Sequence, residues 1–249
     1  MNTPAPGPIC KQAPETVVRV QGNYPDVWGR QREPRGRAHQ WLRQHMARWA
    51  HHDLGNRFAD PAGDYYETYA ADSLEGALVE IWAHDVPDEA TLLAATSVPQ
   101  SSWDAPYDPW KLPKSSYEEL FVWTLQPRDA VQYIDVSCVA TRTWLRRAPA
   151  LRNPLGLVGA GPVLASGLVE GDGPRSRIVT QAIAAVAYGG PGVVGIAYLS
   201  RYGNSEQNWA IFDKTFVGIL DRTALDPTDP RAVQAAERLG LYLSAGATP

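Results

Sequence analysis

GNRFADPAGDYYETYAADSLEGALVEIWAH, residues 55–84, sets a turn, a strand and a helix in succession. Asn56, Asp60, Pro61 and Gly63 are residues that bend a chain sharply, and YETYAA at 66–71 reads as a strand with Tyr69 near its end. Ser73 or Asp72 then caps a helix over 74–84, in which Leu74, Ala77, Leu78 and Ile81 make one apolar stripe. At 100° per residue Glu80 falls on the flank of that stripe, where its carboxylate can reach the edge of a cleft instead of bulk water.

Working outward, TVVRV at 16–20 is a short β-branched strand that holds Arg19. Two more strands are expected at 119–125 and 131–136, joined by the turn-like Gln126, Pro127, Arg128 and Asp129. Residues 149–174 are rich in Gly and Pro and read as irregular, and a helix at 176–188 stops at Gly189, Gly190, Pro191 and Gly192. Strands at 193–200, 207–212 and 216–220 follow, then a capped helix within 226–240. Strands and helices mix without strict alternation, so the expected class is α+β rather than a doubly wound sheet. The expected organisation is a flexible leader over 1–14, which carries four prolines, one domain over 15–225 with a helical insertion at 30–52, and a C-terminal helix and tail over 226–249.

Composition excludes several classes. A net charge of −4, from 23 basic and 27 acidic residues, lacks the basic footprint of a nucleic-acid binder. No apolar run approaches membrane-spanning length, and the first residues lack the basic-then-apolar order of a signal peptide, so the expectation is a cytoplasmic protein. The two cysteines, Cys10 and Cys138, suggest no disulfide framework. The five histidines show neither i, i+4 pairing nor C-x-x-C company, so no metal site is expected. GLVGAGPVLASG at 156–167 has its glycines in the wrong order for a dinucleotide loop and lacks the lysine of a phosphate loop. Trp82, Trp123, Trp144 and Trp209 are assigned to the core.

Three segments carry chemistry together. They are the strand bearing Arg19, the 55–84 segment bearing Arg57, Tyr69 and, eleven residues on, Glu80, and VGIAYLSRYGNSEQNWAIFD at 194–213, bearing Ser200, Arg201 and Asn208. In this order, and with the helix that runs through Arg177, Ile178, Val179, Thr180 and Gln181, they resemble the RES-domain family, named for its arginine, glutamate and serine. The resemblance covers roughly residues 16–21, 55–84, 130–137 and 175–213. The interval between Arg19 and Arg57 is longer than the family pattern, which leaves Arg30 as an alternative first arginine.

The resemblance implies a fold related to ADP-ribosyltransferases, a mixed sheet with flanking helices, and cleavage of the nicotinamide–ribose bond of NAD+ by phosphorolysis or hydrolysis. NAD+ is then the substrate and phosphate a possible co-substrate, with no cofactor. Family members of toxin type are neutralised by a helical antitoxin, which makes such a partner an expectation; oligomeric state is left open. Arg19 and Arg57 suit the diphosphate, since guanidinium recognises phosphate through forked, charge-assisted bonds. Glu80 is the expected catalytic carboxylate, stabilising positive charge that develops on the ribose. Tyr69 would stack on nicotinamide or bond ribose, and Ser200 would bond the nicotinamide ribose or Glu80, so that Arg57, Tyr69 and Ser200 stand with Glu80 as catalytic candidates; Asn208, among the NAD-binding residues, and Tyr198 are lesser candidates. Two alternatives stand beside this: transfer of ADP-ribose to a protein target, and an inactive nucleotide-binding module that keeps the fold.

Overall fold

Val193–Leu199, sequence VVGIAYL, is buried at every residue but the last, the signature of a strand covered on both faces. It forms part of an eight-stranded mixed sheet in a computed structural model that describes residues 10–12, 14–22, 57–60, 64–65, 67–89, 91–93, 108–127, 131–157, 164, 166–170, 174–202, 206–215 and 217–243. The insertion expected at 30–52, with Arg30, lies outside the described residues.

The strands are β1 (Cys10–Gln12), β2 (Val17–Gly22), β3 (Glu67–Ala71), β4 (Leu120–Pro127), β5 (Gln132–Asp135), β6 (Val193–Leu199), β7 (Gln207–Phe212) and β8 (Val217–Ala224), in the order β1-β5-β6-β7-β3-β2-β4-β8. Every neighbouring pair is antiparallel except β5 and β6. A parallel pair needs a crossover, and the chain between β5 and β6 supplies it with α2 (Val139–Leu145), α3 (Arg152–Leu157), α4 (Ser166–Glu170) and α5 (Pro174–Gly189). Two further helices are α1 (Leu74–Trp82) and α6 (Pro230–Arg238). The mixed α and β class read from the sequence therefore holds.

Two apolar cores lie under the helices. In the first, Val179, Ile183, Ala184 and Ala187 of α5 meet Ile134, Ile196, Ala210 and Phe212 of the sheet. In the second, α1 and α6 press Leu74, Leu78, Trp82, Ala232, Ala235 and Ala236 onto Val20 and Ala71. Successive strand residues face opposite ways, so Trp123, Tyr133 and Trp209 enter a third cluster on the other face. Three of the four tryptophans assigned to the core are 3% exposed or less, and Trp144 packs partly buried against the first core.

Several local readings change. Cys10–Gln12, expected within a leader, is an edge strand paired with β5, and Lys11 Nζ lies 3.0 Å from Asp135 Oδ2. Gln126 and Pro127, expected in a turn, end β4 and pair with Gly218 and Val217; proline is tolerated there because a strand end need not donate. The stretch 149–174 holds a 3-10 turn at Pro149–Leu151 and two short helices. Pro149, Pro154 and Pro174 sit in first turns, whose N–H groups lack intrahelical partners in any case, so they are compatible with the helices they stand in. Beyond α6 the chain stays attached: Leu241 and Leu243 are buried, and Tyr242 exchanges backbone bonds with Trp110 and Leu112 at 3.0 and 2.9 Å. No helix among the described residues is long and apolar enough to cross a membrane.

Gly195 lets β6 approach its neighbours closely. A Cβ there would stand 2.3 Å from the Ala210 carbonyl oxygen and 2.7 Å from the Tyr133 ring. Backbone cannot yield as a flexible side chain can, so Gly195→Ala should cost about 1–3 kcal/mol or more. The denaturant midpoint of the purified variant checks this; an unchanged midpoint would mean that β6 and β7 have slack to give.

Candidate functional site

The site begins with an incomplete pairing. β2 pairs along its whole length with β4, and β3 along its whole length with β7, yet β2 and β3 share the single registered pair Val18↔Ala71. Where the two strands part, a cleft of about 410 Å³ opens, lined by Val18, Arg19 and Val20 on one side and Tyr69, Ala70 and Ala71 on the other. A volume of that size suits a small-molecule ligand.

α1 closes one wall. Ser73 caps it by accepting a hydrogen bond from Gly76 N at 3.0 Å, which decides between the two capping candidates. Ala77, Glu80, Ile81 and His84 follow at i, i+3, i+4 and i+7 and all line the cleft, while Leu74, Leu78 and Trp82 turn into the core. Glu80 thus faces the cleft as its place on the stripe implied. Its Oε1 accepts a hydrogen bond from Asn208 Nδ2 at 3.0 Å. Asn208 is 1% exposed, and its own Oδ1 has no hydrogen-bond partner among the described residues. A buried acceptor without a donor is costly, and Asn208 is one of the residues that line the cleft.

Arg57 approaches from the turn before β3. Its Nε donates to the Val169 carbonyl of α4 at 2.8 Å, and Nη2 donates to the same oxygen. The guanidinium lies over the Phe58 and Tyr198 rings at 5.2 and 4.8 Å, and such stacking fixes its plane. Burial pulls its pKa down, and Arg201 adds to that shift by repulsion, against the opposing pull of Tyr198, Glu80 and Tyr69. Tyr69 secures the turn, since its hydroxyl accepts a hydrogen bond from Phe58 N at 2.9 Å. Burial, with Glu67 and Tyr198 nearby, drives the Tyr69 phenol well above its ordinary range, so it stays neutral at physiological pH.

Arg19 occupies the parting of β2 and β3. Burial pushes its pKa down to about 10, with Glu67 opposing, and its guanidinium makes no hydrogen bond among the described residues. Arg177 from α5 and Arg201 from the turn after β6 complete the lining. Four guanidiniums therefore face one carboxylate, in a chain whose net charge is −4. Such a focus of positive potential attracts an anionic ligand.

Of the residues expected from sequence, Arg19, Arg57, Tyr69, Glu80 and Asn208 meet in this one cleft, together with Tyr198. Ser200 does not line it. Its Oγ accepts a hydrogen bond from Tyr202 N at 3.2 Å and closes the turn that carries Arg201. Arg177, Arg201 and His84 were not picked out as site residues: Arg201 and Arg177 stood inside quoted motifs without a role, and nothing in the spacing of His84 marked it. Among the described residues no cluster of three His, Cys, Asp or Glu could hold a metal ion, and Cys10 and Cys138 are not joined in a disulfide.

A lowered arginine pKa means that folding disfavours the charged form. Arg19 thus costs stability at every pH below about 10, and the cost fades as pH rises from there toward the unfolded value. Arg19→Met should therefore melt at or above the wild-type temperature at pH 7 while binding pyrophosphate about tenfold or more weakly. Calorimetric titration with scanning calorimetry reads both; a lower melting temperature with intact binding would assign Arg19 to the scaffold.

Comparison of the chain with protein-family models, with curated proteins and with solved structures found no match to any of them.

Proposed function

We propose that this cleft binds NAD+ and breaks its nicotinamide–ribose bond, the activity implied by the resemblance to RES domains. The observation that carries the reading is Glu80, held by Asn208 at 3.0 Å on the wall of a cleft whose lining also holds Arg19, Arg57, Arg177 and Arg201. A dinucleotide offers complementary groups: a diphosphate for the guanidiniums, and a planar ring for the aromatic wall of Tyr69 and Tyr198.

The electron pair of the breaking C–N bond leaves with nicotinamide, which departs neutral, and positive charge develops on the ribose as in glycoside cleavage. The Glu80 carboxylate stabilises that charge, and orientation by Asn208 means that it need not reorganise as the charge appears. A nucleophile then bonds to the ribose carbon. Water gives up a proton to Glu80, whereas a phosphate oxygen attacks as an anion. Arg19 and Arg57 hold the diphosphate, with Arg57 fixed in plane by its stacking and by Val169. Ser200 acts through Arg201. Tyr69 contributes shape, since its phenol is too weakly acidic to trade protons.

Incubating the purified protein with NAD+, with and without phosphate, and resolving the products by chromatography tests this reading. Nicotinamide release that needs phosphate identifies phosphorolysis, release without it identifies hydrolysis, and label retained on protein identifies transfer. No release under any of these conditions would end the proposal. Glu80→Gln should lower turnover ~10²–10⁴-fold with an unchanged circular dichroism spectrum, and an unchanged rate would remove Glu80 from the mechanism. Arg57→Ala should raise the NAD+ concentration needed and also lower the melting temperature, because the bonds to Val169 and the stacking on Phe58 and Tyr198 go with it.

A further inference from the structure

Away from the cleft opening, one arginine joins three segments far apart in sequence. Arg238 Nη1, at the end of α6, lies 2.6 Å from Glu75 Oε1 and 2.9 Å from Glu206 Oε1. Glu75 belongs to the first turn of α1. Glu206 stands just before β7, and its Oε2 accepts a hydrogen bond from Ser73 Oγ, the cap of α1, at 3.0 Å. The main-chain carbonyl of Glu206 in turn accepts the Ser200 N–H at 3.0 Å. Ser200 Oγ closes the turn onto Tyr202 N, and between them Arg201 lies over the Tyr202 ring at 4.5 Å. The fit is close: a Cβ on Gly76 would stand 1.9 Å from Glu206 Oε2.

We propose that Arg238 is a positioning residue for the cleft. Its bridge from Glu75 to Glu206 ties the turn that presents Arg201 to the helix that presents Glu80. The inference rests on the NAD+ reading for its functional consequence, though not for its geometry. Two carboxylates at the head of α1 repel each other, and a single cation between them turns that repulsion into a link. An isolated surface ion pair contributes little. This one differs because Arg238 is 32% exposed and its two acceptors 24% and 20%, and because the acceptors lie on separate segments. With the cation gone, Ser73 Oγ and the Asp72 N–H, which donates to the Gln207 carbonyl at 3.1 Å, still keep this segment beside α1, but the Glu75 and Glu206 carboxylates then repel each other. Glu206 is pushed from its place, and the turn at residues 200–202, which hangs on its carbonyl, loosens relative to α1. Arg201 shifts relative to Glu80, which weakens substrate binding more than it slows bond cleavage.

Three variants test this: Arg238→Ala, Arg238→Lys and Gly76→Ala. Arg238→Ala should raise KM for NAD+ about tenfold, the loss expected when one charge-assisted contact is misplaced, with little change in kcat. Arg238→Lys keeps an ammonium between the two carboxylates and should restore KM to near wild type. Gly76→Ala puts a methyl where Glu206 Oε2 stands, so it should raise KM as Arg238→Ala does although alanine favours the helix. Hydrogen exchange of the Ser200 and Tyr202 amides supplies a readout independent of turnover and should quicken in Arg238→Ala and Gly76→Ala. Unchanged exchange, or a kcat loss that tracks the fall in melting temperature with KM unmoved, overturns the positioning role. A wild-type protein that releases no nicotinamide would defeat the NAD+ reading alone, and the exchange data would still decide the link.

Discussion

The cleft exists because two adjacent strands decline to pair. β2 and β3 meet at Val18↔Ala71 and then part, although each is fully laddered to its other neighbour. Unpaired backbone groups inside a sheet are expensive unless water or a ligand satisfies them, so an opening of this kind must be propped by something stronger than local preference. The props are the two helix-covered cores on either side. α5 anchors the β5-β6-β7 half and α1 with α6 anchors the β2-β4 half, leaving the junction between them free to carry polar side chains.

What fills the junction is electrostatically unfavourable for the protein on its own. Arg19 is desolvated without a hydrogen bond among the described residues, Arg57 is depressed both by burial and by Arg201, and Asn208 leaves an acceptor unused. A scaffold selected only for stability would replace these groups with apolar ones at little cost. Each is, however, complementary to one kind of ligand. Guanidiniums are complementary to anionic oxygens, and a carboxylate is complementary to positive charge. Local frustration that a single ligand would relieve at every point is the physical content of the functional assignment.

Much of this was legible in the chain. The strand carrying Arg19, the turn at Arg57, the strand carrying Tyr69 and the capped helix carrying Glu80 could be read because each depends on neighbours within a few residues: β-branching, turn residues, an N-cap and a 3.6-residue period. Glu80 was placed correctly for the same reason, since the stripe of its own helix decides which way it faces. The parting of β2 and β3 was not legible, because pairing is settled by partners as distant as Leu125 and Phe212. Nor was the convergence of Arg57, Arg177 and Arg201, which come from three elements with no common local pattern. Ser200 shows the converse. Its motif marked the right turn, but the direction of one hydroxyl depends on the backbone of Tyr202, which no residue type announces.

The same contrast explains why the second layer of the site is drawn from the C-terminal part of the chain. A helix such as α1 aims Glu80 by its own periodicity, but it cannot set its distance from a turn more than a hundred residues later. The ladder of β3, β7 and β6 brings the two together, with the Asp72 N–H on the Gln207 carbonyl at 3.1 Å, and short polar contacts at the head of α1 add to it through Ser73, Glu75 and Glu206. α6 is well placed to supply the cation, because its alanine face already packs on α1 in the second core. Packing brings the helix near without aiming anything, whereas the charge at its end meets carboxylates from two separate segments. The apolar surface thus sets which elements are neighbours, and the few charged groups between them refine how those neighbours sit.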